Sequence, residues 1–458
     1  MKVVIVGGVA GGASAAARLR RLDETAQITV FERSGYVSYA NCGLPYFIGG
    51  VITDESALTL QTPESFRGRF QVDIKVKHNV LSISPERKTV TVENLATGEV
   101  FQEPYDKLIL SPGAKPTLPP VSGLNLPHVF TLRTVEDTMA IHNYVKKSQP
   151  KSVILAGGGF IGVELAENLR DLGLEVTMVQ RPKQLMNPLD LEMASFVHAK
   201  VRSHGIQLVL GVGVQEITET GATLANGDRL SADMVVLAIG VTPDTQLAKD
   251  AGLTLGIRGS IVVDDHMVTS DPDIYAVGDA VQVKHYVTEA DALISLAGPA
   301  NKQGRIAADN ICGIPATFKG SMGSSVLKIF DMTMATTGIN EKTALQLGLN
   351  VDKVYLAPAN HAGYYPGGQA MTMKVLFEKE IYKLLGAQIV GYDGVDKRID
   401  VLATAIFAGM SALELKDLDL SYAPPYSSAK DPVNLAGFMI ENIAAGNLHQ
   451  FFLPEMDN

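Results

Sequence analysis

Cysteine is nearly absent: the 458 residues hold two, Cys42 and Cys312. Two thiols cannot build a disulfide framework, and the shortage fits a reducing compartment, so a cytoplasmic location is expected. Long apolar runs are missing as well. The longest, such as residues 234–239, fall far short of a bilayer span, and no membrane partner is expected. The apolar start of the chain runs from Lys2 straight into a glycine turn and a charged helix, with no signal-peptide cleavage pattern behind it. Positive charge is also in deficit. With 39 Lys and Arg against 49 Asp and Glu, the net charge is −10. That argues against broad nucleic-acid binding and leaves room for a local basic pocket.

What the chain does have is glycine, 43 residues gathered at strand–helix turns rather than in low-complexity tracts. Its length suits about three domains, since single cores rarely grow past roughly 250–300 residues. A diverged internal repeat organises the first two. Val3-Val4-Ile5-Val6-Gly7-Gly8-Val9-Ala10-Gly11-Gly12 opens one unit, and Val153-Ile154-Leu155-Ala156-Gly157-Gly158-Gly159-Phe160-Ile161-Gly162 opens the other. Each reads as a β-branched strand, a glycine turn and an amphipathic helix, over residues 13–22 and 163–172. A second strand follows each, over 28–31 and 175–179. This is the βαβ unit of dinucleotide sites. Residues 108–113 and 236–241 add a second echo, two short buried strands that end at Gly113 and Gly240. After residue 320 the character changes. Residues 326–337 and 371–377 read as antiparallel strands and 397–409 as a helix. The expected fold is therefore α/β: two Rossmann-like domains, then an α+β domain.

The first turn carries Gly7 and Gly12, with Val9 where a GxGxxG pattern has its middle glycine. Glu32, twenty residues past Gly12, would accept hydrogen bonds from an adenosine ribose, with a pyrophosphate on the helix N-terminus. A tight turn without ligand is the bland alternative. The second turn, Gly157, Gly159 and Gly162, is complete. Its second strand ends Val179-Gln180-Arg181, with Lys183 close behind. The acidic residue that would bind a ribose 2′-hydroxyl is missing and a cation stands beside the gap, which favours NADPH over NADH. Arg181 and Lys183 can also be read as a solvated turn. A third signature, the strand ending in Gly278-Asp279, offers a carboxylate to a ribityl hydroxyl. The helix that begins near Ala297 can point its N-terminus at a flavin ring.

Cys42 lies in Ser38-Tyr39-Ala40-Asn41-Cys42-Gly43-Leu44-Pro45-Tyr46, ten residues past Glu32. Free cysteines are most often inert core residues. This one has polar neighbours and a loop or helix start, and a helix N-terminus would lower its thiol pKa toward the reactive thiolate. Cys312 reads as a helix-end core thiol.

Together the Gly7–Gly12 turn, the Cys42 segment, the Gly-Asp strand and Leu296-Ala297-Gly298-Pro299-Ala300-Asn301 resemble the single-cysteine branch of the pyridine nucleotide–disulfide oxidoreductases. Asn41-Cys42-Gly43-Leu44-Pro45-Tyr46, His361-Ala362-Gly363-Tyr364-Tyr365-Pro366-Gly367 and Tyr422-Ala423-Pro424-Pro425-Tyr426-Ser427 are similar to the coenzyme A-disulfide reductase group. The resemblance implies an FAD domain in two segments, 1–112 and 245–320, an inserted NAD(P)H domain, 113–244, and a dimerisation domain, 321–458. It implies a homodimer in which Tyr364 and Tyr426 reach the cysteine and substrate across the interface, with Tyr365 an alternative to Tyr364. Arg33, Gly113, Asp279, Ala297 and Gly240 fall among its nucleotide-binding positions. Phe160 takes the gate position and Glu164 would orient the nicotinamide. Ser14, Arg18, Arg21, Ser38 and Asn41 match coenzyme A contacts, with Asn301, His361, Lys430 and Asn434 as further substrate positions. Arg18 and Arg21 lie three apart on one helix face and could bind phosphates, or could simply face solvent.

The implied activity is reduction of coenzyme A disulfide by NAD(P)H, with Cys42 resting as a mixed disulfide to coenzyme A. Coenzyme A then stands in for the second cysteine of dithiol enzymes. A persulfide or polysulfide reductase uses the same sulfur and is the nearest alternative. An NADH oxidase or peroxidase is a third reading, weakened because Ala10 stands where those relatives carry histidine. A flavin-bound redox sensor is a reading from another class, and the complete second turn weighs against it.

Overall fold

The structure is a computed structural model of the chain and describes residues 1–452. These residues form two units by internal packing: Met1–Lys183 with Ile206–Ser321, and Gln184–Gly205 with the residues from Met322 onward.

Two five-stranded parallel sheets organise the first unit. One runs in the order Ile274–Ala276, Lys107–Leu110, Lys2–Val6, Gln27–Glu32, Asp73–Val76. The other runs Val129–Thr131, Met234–Leu237, Ser152–Ala156, Glu175–Gln180, Gln207–Leu210. The order is the same in both: the first strand of each repeat is central, flanked by its own second strand and by the strand that returns later in the chain. Strands covered on both faces need apolar side chains at consecutive positions, which is why they read as unbroken apolar runs. In the first sheet Val3 and Ile5 pack with Ala15, Leu19 and Ala307 of the helices. Val4 and Val6 point the other way, toward Ile83, Val90 and Val92 of an antiparallel three-stranded sheet. The alternation is the two-residue period of a strand.

The helices after the glycine turns are Ala10–Leu22 and Phe160–Asp171, each starting a turn earlier than expected. The turn glycines Gly11, Gly12 and Gly162 are already helical there. Gly304 of the helix Ala297–Ile311 lets that helix approach Ala10–Leu22 closely, since a Cβ there would meet Gly11 O at 2.2 Å.

The second unit holds an antiparallel sheet in the order Ser325–Ile329, Met332–Gly338, Leu384–Gly391, Thr372–Glu378, Val351–Leu356. The stretch expected as one strand over 326–337 is a hairpin. It reverses at Phe330, whose φ of 56° a sequence pattern does not announce. Residues 184–205, expected inside the NAD(P)H domain, pack in this unit instead. Leu185, Leu189, Met193 and Val197 of this stretch are buried, and polar contacts fix its place: buried Lys374 bonds Asp190 at 2.7 Å, Glu192 at 2.5 Å and Glu341 at 2.7 Å. Gln388 donates to Asp190 and accepts from its backbone, and Asn340 bonds the carbonyls of Asn187 and Pro188. The three carboxylates converge on an ammonium the chain itself supplies. Among the described residues no helix is long and apolar enough to cross a membrane.

Candidate active site

The two glycine turns have closely similar geometry. A Cβ on Gly7 would stand 2.0 Å from Ser111 O, and one on Gly12 1.9 Å from Gly7 O. In the second turn the distances are 2.2 Å from Gly157 to Ala238 O and 2.1 Å from Gly162 to Gly157 O. No other residue fits these four places. Gly159 is different: a Cβ there meets nothing within 4 Å. That explains Val9 at the matching place in the first turn. Neither helix has a side-chain cap, so its first N–H groups face outward, suited to a pyrophosphate. At the strand ends Glu32 Oε2 accepts from Gly8 N at 2.8 Å, and Gln180 Oε1 accepts from Gly158 N at 3.0 Å. Glu32 and Gln180 hold the same place in the two turns, one a carboxylate and the other uncharged.

Cys42 is brought to the first turn by its own backbone. Ser38 N donates to Gly8 O at 2.9 Å, with Ser38 at φ 46°, and Ala40 N donates to Leu58 O. Cys42 sits in the one-turn helix Asn41–Gly43, leading into Leu44–Ile48. One turn on, the Tyr46 hydroxyl donates to Glu164 Oε1 at 3.4 Å. The next helix is close because Gly49 leaves room for the Asn168 side chain, which a Cβ would meet at 2.0 Å. Next to Cys42, Asn41 Oδ1 is buried and accepts no hydrogen bond.

The electrostatics correct one expectation. The Cys42 thiol reaches solvent, yet its pKa is raised, first by the protein crowded around the sulfur and then by Glu164 and Asp279. Only Arg133 works against them. The following helix is five residues long, too short for its dipole to prevail. Glu164 is pushed up to about 7, chiefly by burial and also by Glu167, while the Tyr46 hydrogen bond pulls it down. Burial and Glu164 push Tyr46 up to about 12. Glu164 thus titrates near neutrality within reach of the thiol's field.

Arg133 was not anticipated. Its Nη2 bonds Asp279 Oδ2 at 2.6 Å and would lie 3.7 Å from a Cβ on Gly113, so Asp279 is shared with a guanidinium. Arg133 and its partner are 146 positions apart, and no local pattern links them. Arg33 pairs with Asp244 at 2.8 Å. Phe160 opens its helix, with Glu164 one turn behind. Ala297 opens the helix Ala297–Ile311, and Cys312 caps the end of that helix, half-buried. Gly240 has φ 118°, and Arg181 is exposed.

Of the substrate candidates, Ser14 Oγ donates to Asn301 Oδ1 at 2.5 Å, and Arg18 is paired with Asp309 at 2.6 Å. Arg18 is therefore not a free cation for phosphate. Arg21 is exposed and lies over the Phe70 ring at 5.5 Å, with Arg69 over the same ring at 5.1 Å. In the second unit Tyr364 and Tyr426 are 76% and 72% exposed, Tyr365 is 42% exposed, and Lys430 faces solvent. His361 is buried against Tyr365, the rings edge to face at 5.6 Å. Asn434 is buried, its amide donating to the carbonyls of Leu415 and Leu418 at 3.0 Å. That bonding holds the fold together and takes Asn434 away from a ligand surface.

Residues 1–304 match the profile of the pyridine nucleotide-disulphide oxidoreductases, and residues 324–432 match the dimerisation domain of the same family. The chain belongs to this family. It is an oxidoreductase that uses FAD and a pyridine nucleotide, and the two turns above have the shape that both require. Coenzyme A disulfide reductase of Staphylococcus haemolyticus (strain JCSC1435) is 35% identical over 443 residues, 96% of this chain and 100% of that protein. The structure of reduced Bacillus anthracis CoADR-RHD superposes with a TM-score of 0.96 at 51% identity, over 97% of this chain and 81% of that one. A NAD-dependent persulfide reductase from A. fulgidus superposes with a TM-score of 0.96 at 37% identity, over 100% of this chain and 86% of that one.

Proposed function

We propose that this chain reduces coenzyme A disulfide, and mixed disulfides of coenzyme A, with NADPH or NADH as the electron source and Cys42 as the reacting sulfur. The single observation that carries this is the solitary thiol: Cys42 stands in the reactive loop, and the other described cysteine, Cys312, caps a distant helix end in the sequence. A lone thiol needs a partner sulfur from outside the chain, and a small thiol that is also the substrate meets that need. The relatives' printed names supply coenzyme A as its identity. Bound FAD supplies the two-electron relay from reduced nicotinamide.

The chain's own residues do the rest. The Cys42 thiolate attacks one sulfur of the disulfide, a new S–S bond forms to Cys42, and one coenzyme A thiolate leaves. Cleavage of that mixed disulfide by two electrons returns the Cys42 thiolate and frees the second coenzyme A. Each leaving thiolate takes up one proton, for which Tyr364 and Tyr426 of a second copy are the donors within the proposed homodimer. Asn41 Oδ1, on the residue before Cys42, is an unused acceptor and suits an amide or hydroxyl of the substrate. The exposed Arg21 suits a phosphate. Glu164 orients the nicotinamide at the start of the second helix. The uncharged Gln180 and the exposed Arg181 favour NADPH. A sequence with only two cysteines suits the reducing cytoplasm.

Steady-state turnover with coenzyme A disulfide tests the proposal, with NADPH and NADH compared. Turnover that vanishes in Cys42→Ser, together with a coenzyme A adduct on Cys42 in the isolated protein, is the expected result. Absence of turnover with this disulfide overturns it. A persulfide reductase is the second reading, favoured by the A. fulgidus structure. It predicts faster turnover with coenzyme A persulfide than with the disulfide.

A further inference from the structure

The second unit contains a buried cation that none of the chemistry above uses. Arg398 lies on the helix Val395–Phe407 and is 1% exposed. Its guanidinium reaches five acceptors: Asp431 Oδ2, Ser427 Oγ, and the carbonyls of Gly394, Asn360 and Tyr426, at 2.9 to 3.3 Å. Ser427 Oγ in turn donates to Asp431 Oδ2 at 2.6 Å. The site is shaped for this side chain. A Cβ on Gly394 would stand 2.2 Å from Arg398 Nη1, and Gly394 has φ 71°, so only glycine serves there.

Those acceptors lie on two separate segments. Asn360 closes the neck of residues 360–369, where its side chain and backbone bond Gln369. Tyr426 and Ser427 belong to residues 422–428. The segments are also joined directly, by Ala362 N donating to Ser427 O at 2.9 Å and by the Tyr364 and Tyr422 hydroxyls at 2.5 Å. Each segment carries an exposed tyrosine, Tyr364 on one and Tyr426 on the other. A buried ion pair is a poor way to add stability, because desolvation offsets most of the attraction. What a planar guanidinium does that an apolar side chain cannot is fix several acceptors in one geometry.

We infer that Arg398 is a positioning residue: with Asp431 and Ser427 it locks residues 360–369 and 422–428 into one piece, so that Tyr364 and Tyr426 meet the disulfide substrate as a pair. This rests on the proposed function, in which the two tyrosines serve the reaction. Neither Arg398 nor Asp431 needs to touch substrate for the clamp to matter. Loosening it lets each tyrosine wander while the sheet beneath stays intact.

The experiment uses the full-length, flavin-loaded protein and the variants R398K, S427A, Y426F and R398K/Y426F. Hydrogen exchange followed by mass spectrometry reads the clamp without any turnover. In R398K, exchange in residues 360–369 and 422–428 is expected to rise about tenfold, with Thr372–Glu378 unchanged. S427A moves the same two segments by less, and it carries the test if R398K does not fold. With coenzyme A disulfide, R398K lowers kcat about tenfold and leaves the KM for NADPH within about twofold. The double variant is no more than about twofold slower than Y426F, because the two tyrosines act as a unit and Y426F already breaks the pair. Losses that multiply in the double variant, or exchange that does not change in either segment, overturn the inference. If the wild-type protein fails to turn over the disulfide, the proposed function fails, and the exchange result still decides the clamp.

Discussion

The two glycine turns share one backbone and differ in what hangs from it. Gly7 and Gly12 are matched by Gly157 and Gly162, each within about 2 Å of a carbonyl that a Cβ would strike. Around that common frame three positions diverge. Glu32 becomes Gln180, Ser14 becomes Glu164, and Val9 becomes Gly159. In the first turn the side chains tie the unit to itself: Glu32 takes Gly8 N and Ser34 N, and Ser14 bonds Asn301. In the second, Gln180 takes Gly158 N but is neutral, and Glu164 accepts from Tyr46 and titrates near 7. The two turns therefore share a frame and differ in the charge and bonding of the side chains around it.

The sharpest way to break the comparison is to spoil each frame in turn. Gly12→Val and Gly162→Val each push a side chain into a carbonyl and should cost on the order of 4 kcal/mol locally. Gly12→Val is expected to purify without flavin absorbance. Gly162→Val should keep the flavin spectrum but fail to bleach under anaerobic NADPH. Equal loss of flavin in both would mean the two turns do not hold separate nucleotides.

Glu164→Gln probes the second difference. In the folded chain burial holds a proton on Glu164 up to about pH 7, whereas the unfolded chain releases it near the ordinary value of 4.5. The folded state therefore binds more protons across that window, and this residue's contribution is full below 4.5 and lost as pH rises toward 7. The amide removes the loss. Relative to wild type, the variant should gain stability progressively over the window, reaching on the order of 2 kcal/mol at neutral pH, read from urea midpoints. Cys42 should also alkylate at lower pH, since the carboxylate that opposes its thiolate is gone. An unchanged alkylation profile would detach Glu164 from the thiol. Ser14→Ala, at the matching place, should leave that profile alone.

Much of this frame is legible in the sequence, and for one reason. A backbone that approaches another within van der Waals contact admits only glycine, so Gly7, Gly12, Gly157 and Gly162 are written into the chain. Doubly covered strands must be apolar at consecutive positions, so Val3–Val6 and Val153–Ala156 are written there too. The Cys42 loop stood out because the second thiol of a dithiol enzyme was absent. What no local pattern carries are pairings between distant positions: Arg133 with Asp279, Tyr46 with Glu164, and Lys374 with Asp190 and Glu192 of residues 184–205. Each such residue looks locally like an ordinary surface charge or core aromatic. Only the fold gives it a partner. The raised Cys42 pKa is not local either, since burial and Glu164 reach the sulfur through space.

Gln180→Glu tests the nucleotide end with a smaller expected effect. A carboxylate at Gln180 keeps the acceptor for Gly158 N, so the turn should hold its shape. It would also stand against a ribose 2′-phosphate and could bond a 2′-hydroxyl. The ratio of kcat/KM for NADPH over NADH is expected to fall about tenfold, roughly 1.4 kcal/mol, with the melting temperature within about 2 °C of wild type. No shift in the ratio would remove Gln180 from nucleotide choice and leave Arg181 to account for it.

Val9→Gly is the mildest change and the most exacting for the comparison. If Val9 sits where it does only because the position is open, as the empty surroundings of Gly159 indicate, the valine side chain does nothing for the flavin site. Both residues are N-cap positions with similar backbone, φ −98° at Val9 and −87° at Gly159. Glycine at Val9 should then cost only the added freedom of the unfolded chain, about 0.5–1 kcal/mol, with flavin content and absorbance maxima unchanged. A loss of flavin instead would show that the Val9 side chain packs on the bound nucleotide. The first turn would then differ from the second in kind, holding its cofactor by a contact that the second turn gave up in order to release its own.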